Sequence, residues 1–111
     1  MILDLWLDIK ANVLSNNEQV EIAFTQAAEI AGATVLNQQW HHFGEGYGLT
    51  GVVMLAESHM SIHTWPEYGY AAIDVFMCGE CDPKKTLSTM MSLFKPKSYS
   101  INELTRGLLI C

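Results

Sequence analysis

The chain has 111 residues, half of them hydrophobic and 16% charged, with a formal net charge of -6 at neutral pH. That composition excludes a disordered chain and suits a single domain, residues 1-111, with one core. The acidic balance speaks against a nucleic-acid partner, whose phosphates need clustered Lys and Arg, and no apolar run nears the ~20 residues that cross a membrane.

The opening MILDLWLDIK lacks a basic n-region and carries Asp4 and Asp8, so no signal peptide is expected. Three cysteines without a secretory signal predict reduced thiols and a cytoplasmic location. Residues 2–9 alternate, with Leu3, Leu5 and Leu7 on one face of a half-buried strand. Ser15-Asn-Asn-Glu18 fits a capping box, and Val20, Phe24, Ala27 and Ala31 follow at helical spacing before Gly32. A strand is expected over 33–39, then a loop at Gly44, Gly46 and Gly48.

Three apolar stretches follow, 51–57, 58–65 and 70–78, the last two joined by a turn at Pro66-Glu67-Tyr68-Gly69. Asp82-Pro83 starts a second helix with Leu87, Met90, Met91 and Phe94 as its stripe; Pro96 stops it, and 98–104 form a last strand. The order is roughly β-α-β-β-β-α-β. It predicts an α+β two-layer sandwich, an antiparallel or mixed sheet with two helices on one face.

Several motifs compete for the chemistry. The G-x-G within GEGYGLTG precedes a strand-like VVML and not a helix, so a phosphate-binding turn is rejected for a surface loop. Cys78-Gly-Glu-Cys81 is a lone C-x-x-C; zinc would need a second pair of ligands, and the terminal Cys111 is a poor supplier. Redox use of the pair is not preferred, since Asp82-Pro83 starts the helix after Cys81. His59 and His63, with His41 and His42, could make a metal site, but on one strand the first two lie roughly 13 Å apart, so sharing an ion would need a local bend or histidines from elsewhere, and metal binding is disfavoured.

The Glu57-Ser58 junction needs fewer parts. A serine held against its preceding carbonyl can attack it, moving the acyl group from nitrogen to oxygen. Base-assisted β-elimination then releases Glu57 as a carboxylate, and hydrolysis of the dehydroalanine leaves a pyruvoyl group. Such a carbonyl is an electron sink built from the chain. A hydrolase triad on Ser58 is disfavoured because no G-x-S-x-G elbow is present.

The run ESHMSIHTWPEYGYAAIDVFMCG, 57–79, resembles the prokaryotic pyruvoyl-dependent S-adenosylmethionine decarboxylase proenzymes, with further likeness in GATV, HHF, LTGVV and the Asp82-Pro83 helix start. The resemblance implies cleavage between Glu57 and Ser58 into chains 1–57 and 58–111, with Ser58 becoming the pyruvoyl group that forms a Schiff base with the substrate amine. It implies that His63 is the processing base, Cys78 the proton donor after CO2 leaves, and Thr50 a hydroxyl supporting processing where relatives carry serine. Phe43 and Trp65 are implied to flank adenine, and Glu67 to hold the ribose. The implied cofactor is the self-generated pyruvoyl group, with no metal. The implied product, decarboxylated S-adenosylmethionine, serves spermidine synthesis.

A homodimer of cleaved protomers with sites near the interface is also implied, in keeping with Trp6 and Trp65 on faces a small sheet leaves open. Met77 and Cys81 depart from the family pattern beside the substrate pocket. The same electrophile would also decarboxylate arginine or ornithine, and the alternative outside enzymes is a non-processing, ligand- or metal-binding homologue.

Overall fold

The computed structural model describes residues 1–9 and 11–107. β1 (Ile2–Trp6) leads through a 3-10 turn at Asn12–Ser15 into α1 (Asn17–Ile30). Four strands follow: β2 (Val35–His42), β3 (Leu49–Leu55), β4 (Ser58–Trp65) and β5 (Tyr70–Met77). A 3-10 turn at Pro83–Thr86 then opens α2 (Leu87–Phe94), and β6 (Ser98–Asn102) is the last element among the described residues. All strand pairs are antiparallel, in the order β2-β3-β4-β5-β1-β6. The α+β sandwich holds, but four strands lie between the helices where the condensed order has three. Each of the three apolar stretches after the glycine loop is a separate strand, and the segment before that loop makes the fourth.

Alternation decides which face is dry. Leu3 and Leu5 of β1 and Leu7 just after it are buried, and on β4 the buried set is Met60, Ile62 and Thr64. Against this face pack Val20, Phe24 and Ala27 of α1 with Met90 and Phe94 of α2, in one cluster. Each such large side chain contributes roughly 1.5–3 kcal/mol by leaving water. Leu87 and Met91, expected in the α2 stripe, are only partly buried and lie at its margin.

The first cap differs from expectation. The 3-10 turn takes in Ser15, so Asn16 becomes the N-cap of α1, its side chain accepting from the Gln19 N–H at 3.0 Å. Asp82 does cap its helical segment, accepting from the Lys84 N–H at 3.0 Å.

Among the described residues, no helix covers the opposite face of the sheet. Ile2, Trp6, Val52, Met54 and Trp65 all stand exposed there, with Trp6 at 46% and Trp65 at 38%. Trp6, Tyr70 and Trp65 form a stacked ladder across β1, β5 and β4, with ring centroids 4.4 Å and 5.3 Å apart.

Candidate active site

β3 and β4 are joined by a turn of only two residues, Ala56 and Glu57, because Leu55 pairs with Ser58. Ser58 pairs on its other side with Met77, which sets the turn beside the end of β5. The Cys78 N–H donates to the Glu57 carbonyl at 3.1 Å. Ser58 has φ 156°, a positive value that non-glycine residues rarely adopt. Such a conformation costs on the order of 1–3 kcal/mol and persists only where the surroundings enforce it. Strain therefore sits at the junction that the sequence singles out.

Around this turn, Cys78 lines a cleft of about 250 Å³ together with Phe76, Met77, Cys81 and Arg106. The Arg106 guanidinium lies 4.4 Å from the centre of the Phe76 ring. Cys78 is disulfide-bonded and Cys81 is free. The sequence predicts reduced thiols, so this is a difference: the Cys78 sulfur carries a transferable proton only after reduction. Cys111 lies outside the described residues. Burial, followed by the charges of Glu57 and Glu80, raises the pKa of the Cys81 thiol, which donates to the Gly32 carbonyl at 3.4 Å.

A second group of predicted residues assembles at the far end of β4. Thr50 pairs with His63 across β3 and β4, and Thr50 Oγ1 lies 3.0 Å from His63 Nδ1. Trp65 is two residues further on, its ring 6.2 Å from that of His63. Phe43, at 59% exposure, follows β2 with its ring edge on His41 at 4.6 Å, and Glu67 is exposed on the turn after Trp65. His41 and Thr50 also line a broad open concavity of about 820 Å³ over β2 and β3. The Tyr70 hydroxyl in the neighbouring ladder donates to Asp4 at 2.6 Å. That bond, then burial and the charges of Asp4 and Asp74, push its pKa up to about 12.

One chain does not bring the two groups together. Ser58 and His63 are both on β4, five residues apart, hence roughly 16 Å along the strand. Their side chains also alternate, Ser58 in phase with the core positions and His63 outward. Glu57, Ser58 and Cys78 lie in one group, and Thr50, His63, Trp65, Phe43 and Glu67 in another. Among the described residues, no three His, Cys, Asp or Glu side chains gather as a metal-holding group.

Sequence reasoning missed three groups around this turn. The Cys78 N–H on the Glu57 carbonyl and the Thr34 N–H, which donates to Glu57 Oε1 at 3.0 Å, are backbone groups, invisible in side-chain motifs. Arg106 lies beyond the last strand, with no pattern to mark it.

Comparison with known proteins agrees with this architecture. The sequence profile described as S-adenosylmethionine decarboxylase matches residues 1–107. The chain is 45% identical over 101 residues to an S-adenosylmethionine decarboxylase proenzyme of Fervidobacterium nodosum, covering 90% of this chain and 73% of that one. It is 40% identical over 111 residues to the proenzyme of Methanococcus aeolicus, covering 99% and 93%. The crystal structure of the adenosylmethionine decarboxylase from Aquifex aeolicus superposes with a TM-score of 0.73 at 31% identity, covering 96% of this chain and 93% of that one. The chain belongs to the S-adenosylmethionine decarboxylase family.

Proposed function

We propose that the chain is the precursor of a pyruvoyl-dependent S-adenosylmethionine decarboxylase that cuts itself between Glu57 and Ser58. The observation that carries this is the strained Ser58 backbone on a two-residue turn whose Glu57 carbonyl is held by the Cys78 N–H, in a chain of this family. Attack of Ser58 Oγ on that carbonyl builds negative charge on its oxygen. A donor already aimed there stabilises the charge as an oxyanion hole does. The N-to-O shift also breaks the backbone amide at the strained position, so relief of strain favours the ester. Removal of the Ser58 Cα proton then expels Glu57 as a carboxylate, and water converts the remaining enamine to pyruvoyl and ammonia.

The base for that proton is His63, its Nδ1 held by the Thr50 hydroxyl so that Nε2 points away from the pair. Because His63 lies roughly 16 Å from Ser58 in its own chain, it acts on Ser58 of a second copy. A two-fold dimer packing the open sheet faces together sets each end of β4 against the other end of its partner, and two complete sites form when Ser58, in phase with the core positions in the single chain, turns at the strand end toward that interface. The exposed Trp6, Val52, Met54 and Trp65 give that face the apolar character that such packing needs. Phe43 and Trp65 offer ring faces to adenine and to the sulfonium cation, and Glu67 offers a carboxylate to the ribose hydroxyls.

The pyruvoyl group supplies the electron sink for loss of CO2. Cys78, as a thiol, holds the proton that returns to the substrate carbon, and Arg106 closes the cleft beside it. The cytoplasm, where thiols stay reduced, suits this role. The product is an aminopropyl donor of the kind that spermidine synthesis consumes.

Intact mass under denaturing conditions tests the reading. The expected result is two species, 1–57 and 58–111, the second lighter than its sequence by one ammonia. The purified, reduced protein should release CO2 from S-adenosylmethionine and not from arginine or ornithine. A single uncut species after prolonged incubation overturns it.

A further inference from the structure

We infer that the side chain of Glu57 is a positioning residue for self-cleavage, acting through the loop that follows α1. This role rests on the self-cleavage reading above and adds to it a second anchor. The turn Ala56-Glu57 is tied to Thr34 twice: the Thr34 N–H donates to Glu57 Oε1 at 3.0 Å, and the Ala56 N–H donates to the Thr34 carbonyl at 2.9 Å. Together with the Cys78 N–H on the Glu57 carbonyl, these bonds hold the residue before the scissile bond from both sides. Ser58, immediately after, carries the positive φ.

The same loop also holds the segment that carries Cys78. The Cys81 thiol donates to the Gly32 carbonyl at 3.4 Å, and the Asp82 N–H donates to the Ala31 carbonyl at 3.2 Å. The α1 loop is therefore a common anchor that sets the cleavage turn and the Cys78 turn in register. Glu57 is the side chain that locks the first of them. A two-residue turn that relaxed at Glu57 would release the Ser58 backbone and move the carbonyl off its donor. The carboxylate is thus retained for geometry, and its chemistry in the cut is only that of any leaving acyl group.

The test follows self-cleavage of freshly refolded wild type, Glu57→Ala, Glu57→Asp and Glu57→Gln by the appearance of the two fragments, with melting temperature measured alongside. Glu57→Gln keeps an oxygen at the same reach and is expected to cleave within about threefold of wild type. Glu57→Ala and Glu57→Asp, which lose or withdraw the acceptor, are expected to cleave about tenfold slower, as small misplacements of reacting groups do. Melting temperatures should stay together, because the bond is at the surface. Should Glu57→Ala fail to fold, the contrast between Asp and Gln carries the same information. Equal rates for Gln and Asp, or a wild-type rate in Ala, would overturn the role while leaving self-cleavage intact. A wild-type chain that never cleaves would overturn both.

Discussion

The N–H of Cys78 donates to the carbonyl oxygen of Glu57 at 3.1 Å, joining the residue before the proposed cut to the residue proposed to protonate the substrate. In the proposed reading two functions meet at one position through different atoms: the backbone would serve maturation, and the sulfur turnover.

Those functions should separate by substitution. Cys78→Ala keeps the N–H, so cleavage is expected within about threefold of wild type, while decarboxylation by the cleaved protein falls about a hundredfold or more, the usual scale for a lost general acid. Fragment formation by mass and CO2 release under reducing conditions measure the two. Parallel loss of both would mean that the sulfur, not the amide, holds the turn.

Sharing of the site between copies is open to a mixing experiment. Ser58→Ala lacks the attacking hydroxyl and His63→Ala lacks the base, so neither should cleave alone. Refolded together in equal amounts, random pairing makes about half of the dimers mixed, and in each the intact His63 faces the intact Ser58. About half of the His63→Ala chains should then be cut, and none of the Ser58→Ala chains. Absence of any cleavage in the mixture would remove the shared site.

Much of the framework was legible because it is carried by alternation. The buried Leu3 and Leu5 of β1, with Leu7 just after it, follow from a period of two, and the full span of β4 from an apolar stretch that ends at a turn signal. Local competition between polar residues was not legible: Ser15 and Asn16 can both cap, and only the preceding 3-10 turn selects Asn16. The Ala56-Glu57 turn was equally hidden, since it contains no Gly, Asn or Asp to mark it. The separation of Ser58 from His63 was within reach of the sequence. The same rise per residue that keeps His59 and His63 from sharing an ion keeps Ser58 from its own chain's His63.

Tyr70 gives a spectroscopic signature of the open face. Its pKa, pushed up to about 12 first by the hydrogen bond to Asp4, exceeds the value of 10.0 in the unfolded chain. The neutral hydroxyl is therefore favoured by folding. That contribution is fully present below pH 10.0 and is lost as pH rises through about 12. Titration of tyrosinate absorbance should show a late-ionising step, and Tyr70→Phe should delete that step. Asp4→Asn, which removes the charge, should bring it earlier. A late step that survives in Tyr70→Phe would assign it to another ring.

Thr64 ties the core to the outward group around His63, and its substitution should be felt in both. Only 6% exposed, its hydroxyl donates to the Leu14 carbonyl at 2.7 Å and accepts from the Leu49 N–H at 2.9 Å. Thr64→Val keeps the shape but strands a buried N–H and a buried carbonyl, each worth about 1–3 kcal/mol when left unpaired. A loss of about 2 kcal/mol or more is expected, read as a lower denaturant midpoint at unchanged slope. Thr64→Ser keeps both bonds and should lose only about 1 kcal/mol for the missing methyl. Both changes belong in a Ser58→Ala background, where the chain stays whole and unfolding can be treated as two-state. Because Leu49 precedes Thr50 and Thr64 lies between His63 and Trp65, Thr64→Val in a cleavable chain should also slow processing. Equal stability for Val and Ser would show that water, not the Thr64 hydroxyl, satisfies Leu14 and Leu49.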